Sequence, residues 1–241
     1  MRKILITNDD GIEADGIKRL IKVASKFGEV WVVAPESQRS AMSHSITLRL
    51  PFEAYPYEFD DSTLNNPVHA YACTGTPADC VRVGVLNIVP GKPDVIFSGI
   101  NFGYNSATDL QYSATAGAAF EGCFQGVRSI AFSEGFSEKH PVTDFYIEQI
   151  IKNLIDKDPG QDCIWNVNFP DIPLTDCKGI LENRTVSRDS FYHDRYKQEN
   201  LEGGRMRFMV DGIYNENAEI GTDMRAIVDG FVSIGIVHNL S

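Results

Sequence analysis

The 241-residue sequence lacks a CxxC pair, a long apolar run and any surplus of positive charge. Its five cysteines, Cys73, Cys80, Cys123, Cys163 and Cys177, are scattered and odd in number. That argues against a disulfide framework and against a zinc site, and fits small buried hydrophobes in a reducing compartment. No stretch approaches the ~18 consecutive apolar residues of a membrane span. The opening MRKILITNDDG reaches two aspartates before any apolar core or cleavage site, so a cytoplasmic protein without a membrane partner is expected. A formal net charge of −11 argues against long nucleic acid, which needs a basic face to release counterions. It leaves a small phosphorylated ligand open, because a bound cation inverts the local potential. GxGxxG and Walker A motifs are both missing, so dinucleotide and P-loop chemistry have no support. His44, His69, His140, His193 and His238 show neither metal-ligand spacing nor a nucleophile motif beside them.

What is present is an alternation of short apolar runs with helical stripes. KILIT (3–7) and EVWVVA (29–34) read as strands buried on both faces. Between them Ile17, Leu20, Ile21 and Ala24 follow helical spacing, and Gly28 closes the helix. The polar stretch 36–67 reads as loop, with a short strand around 45–50. Val68–Cys73 reads as a strand, followed by a helix with Thr76 as N-cap, Pro77 at its first position and a stripe of Val81, Val85 and Ile88. DVIFS (94–98), a small-residue helix over 113–124, a strand at 129–132, a helix over 142–155 and a strand at 164–169 continue the pattern. The fold class predicted is α/β, a Rossmann-like, doubly wound and mostly parallel sheet. Residues 1–175 are expected to form the core and 176–241 an extension, with strands near 207–210 and 230–237 that find little core in their own subunit.

In open parallel sheets ligands sit beyond the carboxyl ends of the strands. Asp9 and Asp10 follow the first strand, Ser40 the second, and Asn101 the DVIFS strand. Two adjacent carboxylates repel each other, so holding both ionised calls for a cation, and these oxygens suit Mg²⁺ or Mn²⁺. Asn-Asp-Asp-Gly is equally good turn chemistry, Ser40 a good cap and Asn101 a good turn residue; their convergence at strand ends favours a site. Asn105 and the Ser113-Ala114-Thr115 turn, opening a helix, supply amide, hydroxyl and backbone N–H groups suited to phosphate, or a simple helix cap.

NDDG, PESQRSAMSHSITL, TGTPADCV, SGIN with NxGxN, the EG of residues 121–122, NVNFP, and Thr222-Asp223 with GFVSI together resemble the SurE (survival protein E) nucleotidases. The resemblance implies one divalent ion per subunit on Asp9, Asp10, Ser40 and Asn101, with phosphate near Asn105, Ser113, Ala114 and Thr115. It implies hydrolysis of nucleoside 5′-monophosphates, with 3′-monophosphates and polyphosphate as further substrates, and a homodimer or homotetramer joined by an exchanged C-terminal hairpin. Asp9 is the candidate to orient or deprotonate water, and an aspartate nucleophile is the variant within that class. Ala107 and Ala114 depart from glycines usual in the family, which questions local loop shape. The rivals are a catalytically weak nucleotide-binding module and a phospho-receiver-like regulatory module. The receiver reading lacks an aspartate in Ser98-Gly99-Ile100-Asn101.

Overall fold

The computed structural model describes residues 1–60 and 62–239; Asp61 and the final two residues of the expected extension lie outside them. The chain builds β1 (Lys3–Thr7), α1 (Asp15–Ala24), β2 (Glu29–Pro35), β3 (Ala54–Tyr57), β4 (Val68–Cys73), α2 (Pro77–Val83), β5 (Val95–Phe102) and α3 (Ala114–Phe124). It continues through β6 (Arg128–Glu134), α4 (Pro141–Leu154), β7 (Cys163–Phe169), β8 (Ile180–Leu181), β9 (Tyr192–His193) and β10 (Tyr196–Asn200). β11 (Met206–Val210), β12 (Ile213–Tyr214), α5 (Asp223–Val228) and β13 (Val232–His238) complete it.

Nine strands form one sheet in the order β3-β4-β2-β1-β5-β6-β7-β13-β8. The run β4-β2-β1-β5-β6-β7 is parallel throughout, as expected for strands that are apolar on both faces. Alternate residues of β1 serve opposite layers. Ile4 and Ile6 join the cluster containing Ile17, Leu20 and Ile21 of α1 and Ile147, Ile150 and Ile151 of α4. Leu5 joins Cys80 and Val81 of α2 and Ala118 of α3. From β1 the chain winds outward to β2 and β4, then returns to lay β5, β6 and β7 on the other side. The order therefore reverses between β1 and β5, and a crevice opens there at their carboxyl ends.

Two expectations need correcting. Residues 45–50 form no strand: Leu48 and Leu50 are exposed, and the segment is strapped down by Asp79, which accepts from the Thr47 backbone N–H at 3.0 Å and its hydroxyl at 2.6 Å. The strand of this stretch is β3, an exposed edge carrying Pro56. In the tail, β13 is not short of core. It pairs antiparallel with β7 from Ser233↔Asn168 to His238↔Cys163, and Val232 and Ile234 lie in the main cluster. The segment that does find little core is the β10–β11 hairpin, all ten paired residues of which are exposed.

Candidate active site

β1 delivers Asn8-Asp9-Asp10 to the crevice. Asp9 is buried, and its Oδ1 accepts the Thr115 hydroxyl at 2.6 Å from the first turn of α3. Burial pushes its carboxyl up to about 6; the Thr115 hydrogen bond lowers it and the neighbouring Asp10 raises it again. Asp10 is also raised, first by burial, although its Oδ2 accepts the Phe102 backbone N–H at 2.9 Å. Neither carboxylate forms a salt bridge among the described residues.

β5 delivers Asn101 past an irregularity between Ser98 and Asn101. Gly99 makes that possible: its φ is +132°, and a Cβ there would stand 2.3 Å from the Phe132 carbonyl oxygen. The Asn101 amide nitrogen donates to the Gly103 carbonyl at 2.8 Å, which fixes the orientation of its amide group. Asn105 is held from below. Its backbone N–H donates to Asn168 Oδ1 at 2.9 Å, and its carbonyl accepts from Asn166 Nδ2 at 2.8 Å and Asn168 Nδ2 at 3.1 Å. Its own Nδ2 donates to Ser133 Oγ at 2.7 Å. The NVNFP motif is thus the bracket of this loop.

The Ser40 loop crosses to α3. Arg39 N–H donates to the Asp9 carbonyl at 2.7 Å, and Ser43 N–H to the Tyr112 carbonyl at 3.0 Å. Gly117 admits the crossing, since a Cβ there would lie 2.5 Å from the Ser43 carbonyl oxygen. His44 pairs with Glu121 at 2.9 Å, so the EG motif is a clasp.

Asp9, Ser40, Asn101, Asn105 and Ser113 line one cavity of about 390 Å³. Asp10 borders an adjoining cavity of about 600 Å³ and shares Gln38 and Phe102 with the first. Ser113 Oγ caps α3 by accepting the Ala116 N–H at 2.9 Å, as the plain capping alternative foresaw. Ala114 and Thr115 are fully buried and do not line the cavity; the Thr115 hydroxyl acts on Asp9. Ala114 begins the helix without positive φ. Ala107 does adopt positive φ, +53°, but its methyl packs with Phe191, Met224 and Ile227, off the cavity wall. Asp223 of the tail motif holds the Ala107 backbone N–H at 3.0 Å. Gln38 and the aromatic walls Phe102, Phe136, Tyr192 and Tyr214 were missed as site residues; the last two come from short strands with no local signal pointing here.

Among the described residues no Lys, Arg or His lines the 390 Å³ cavity. Arg19 and His140 lie in the adjoining cavity, and Glu134 occupies both, Arg19 at 2.6 Å and His140 at 3.0 Å. Among the described residues no three His, Cys, Asp or Glu side chains cluster to hold a metal. A cation here must therefore be completed by hydroxyl and amide oxygens and by water. That donor set, two carboxylates without a counter-charge plus Ser40 and Asn101, fits a hard divalent ion.

An open, mostly parallel sheet flanked by helices, with an acidic, oxygen-lined cavity at its switch point, defines a Rossmann-like α/β protein. More narrowly, the chain belongs to the SurE family: residues 4–191 match the family described as Survival protein SurE. It is similar to the 5′-nucleotidase SurE of Thermosipho melanesiensis, 37% identical over 96% of this chain and 89% of that one. It is also similar to the 5′-nucleotidase SurE of Clostridium botulinum (strain 657 / Type Ba4), 37% identical over 98% of this chain and 92% of that one. The crystal structure of the SurE protein from Aquifex aeolicus superimposes with a TM-score of 0.83 at 32% identity, covering 99% of this chain and 94% of that chain. Among the described residues no helix is long and apolar enough to cross a membrane.

Proposed function

We propose that this chain is a phosphoric monoester hydrolase, a metal-dependent 5′-nucleotidase releasing phosphate from nucleoside monophosphates. The names of its relatives support the reaction class. The single observation that carries metal dependence is the cavity's wall, which holds Asp9 and Asp109 and no cationic side chain. A phosphate dianion meets only repulsion there until a cation intervenes.

Asp9, Asp10, Ser40 and Asn101 would hold one Mg²⁺ or Mn²⁺ ion per chain. When bound, the ion neutralises phosphoryl charge and polarises the phosphoryl group. The protein's part is positioning, which dominates phosphoryl transfer. Thr115 fixes Asp9 by donating to its Oδ1, which sets the carboxylate to orient or deprotonate the attacking water. Asn105, rigidly bracketed, and Ser113 orient phosphate oxygens. Substrates extend to 3′-monophosphates and polyphosphate, in the cytoplasm. The core is 1–175 completed by β8 and β13, and within the 176–241 extension β10–β11 is exchanged between subunits of a dimer or tetramer. A receiver-type module would need an aspartate at the end of β5, where Asn101 stands.

Phosphate release from AMP with Mn²⁺ tests this reading. Asp9→Asn or Asp10→Asn should lower turnover at least ~100-fold, because the ion supplies several kcal/mol of transition-state stabilisation. Near-normal turnover in both variants would reduce NDDG to an ordinary turn.

A further inference from the structure

The loop that carries Ser40 has little of its own to hold it. Residues 40–43 are all exposed, and Ala41 and Ser43 adopt left-handed φ of +57° and +52°, which residues other than glycine rarely do. Such a conformation persists only where neighbours over-determine it. Among the described residues the Ser40 hydroxyl accepts a single bond, from Gln38 Nε2 at 2.9 Å, and Gln38 belongs to the same loop. The outside anchors come from α3 and the turn before it. Ser43 donates through its N–H to the Tyr112 carbonyl at 3.0 Å and through its hydroxyl to the Gln111 carbonyl at 2.8 Å. Ser113, Gly117 and Glu121 then recur at intervals of four and share one face, along which the loop is laid.

His44 is the first half-buried side chain after Ser40, and its ring stacks on Phe124 with centroids 5.5 Å apart. It reaches Glu121, which is buried. A carboxylate only accepts, so His44 Nε2–H donates to Glu121 Oε2 at 2.9 Å. The other oxygen, Oε1, accepts from Gln125 Nε2 at 2.8 Å and faces Arg82 at 3.6 Å. Burial raises the Glu121 carboxyl, but His44, Gln125 and Arg82 outweigh it and hold it below its ordinary value. Glu121 is thus an ionised carboxylate inside the fold, with one oxygen given to its own helix and α2 and the other to the loop.

Resting on the metal-dependent reading above, we propose that His44 and Glu121 are positioning residues for the Ser40 metal ligand. The helix α3 then sets two of the four ligands, Asp9 through Thr115 and Ser40 through this pair. Neither His44 nor Glu121 lines the 390 Å³ cavity, so both act through the loop backbone. Without the pair, only the Ser43 bonds to Tyr112 and Gln111 tie this loop to α3, and the two left-handed residues are freer to relax. Ser40 then spends less of its time where the ion needs it. Partners that orient a metal ligand in this way are worth about 10–100-fold in metal affinity.

The test is the Mn²⁺ dissociation constant of the full-length protein, read from the electron paramagnetic resonance signal of free Mn²⁺. His44→Ala should weaken binding about tenfold or more. His44→Gln, whose side-chain amide can still donate to Glu121, should stay within about threefold of the unmodified protein. An unchanged constant in His44→Ala, or an equal loss in His44→Gln, overturns the proposal. Amide hydrogen exchange at Ser43 in chelator reads the tether without metal. If the unmodified protein binds no Mn²⁺, the metal-dependent reading falls and this exchange decides the tether alone. Exchange about tenfold faster in His44→Ala sustains it, and an unchanged rate overturns it.

Discussion

Asp9 stands at the point where stability and function pull apart. Its carboxyl sits at about 6 in the fold against 3.8 for an ordinary aspartate, with burial the leading cause. A raised carboxyl favours the protonated fold, so the contribution to stability is full below pH ~3.8 and is lost as pH rises through ~6. A shift of about two units corresponds to a strain on the order of 3 kcal/mol once Asp9 is ionised without a cation. Asparagine keeps an acceptor for Thr115 and carries no charge. Asp9→Asn in chelator should therefore match the unmodified protein near pH 4 and exceed it by roughly 3 kcal/mol above pH 7, measured by urea unfolding. A pH-independent difference between the two would show that Asp9 is not a strained carboxylate. Other residues resolve into support. Thr115, singled out in the sequence for phosphate, instead fixes Asp9, and Ala114 is a buried first-turn residue whose methyl stays off the cavity.

The elements most legible in sequence are those whose environment is uniform along the chain. β1 and β2 are buried on both faces, so their apolar runs are continuous, and the polar residues that follow them lead into the crevice. Asp9, Ser40 and Asn101 could be singled out because each lies at a strand end or in the loop that follows one. The stretch 45–50 misled because Ile46, Leu48 and Leu50 alternate as a strand does, yet it is a strap fastened by Asp79, which also builds the capping box of α2. Such a long-range tether leaves no local pattern. The role of NVNFP was equally invisible: Asn166 and Asn168 hydrogen-bond the backbone of Asn105, some sixty residues away. Asn168→Ala would leave the buried Asn105 N–H unpaired. It should cost about 1–3 kcal/mol of stability and lower kcat/KM at least ~10-fold, although Asn168 does not line the cavity. Unfolding curves and AMP kinetics on one preparation check both; full activity would mean that Asn105 needs no bracket.

At the scale of the whole molecule, the tail divides into parts with opposite roles. β13 is a core strand beside β7, and α5 carries Asp223, which bonds the backbone of Ala107 and Ser187. The β10–β11 hairpin is a two-stranded ribbon exposed on both faces, with Phe208, Met209 and Val210 in water. Isolated ribbons of this kind are marginal alone and suit pairing with a second copy. Excising 196–210, with Arg195 joined to Asp211 through two glycines, should lower the oligomeric state by light scattering while keeping a cooperative melt. Truncation after Gly204 should instead abolish that melt, because it removes β13 from the sheet. A hairpin-less chain with unchanged mass in solution would rule out exchange through this segment.

On the proposed reading, the sheet's switch point presents oxygen ligands with no cationic side chain beside them, and catalysis waits on one divalent ion per chain. Phosphate release from AMP by chelator-stripped protein, titrated with Mn²⁺ alongside direct counting of bound metal, tests it most directly. Activity should be near zero without metal, rise with occupancy and saturate at one ion per chain, and Asp10→Asn should bind Mn²⁺ at least ~10-fold more weakly. Full turnover by the stripped protein, or metal binding that Asp10→Asn leaves unchanged, would contradict the account.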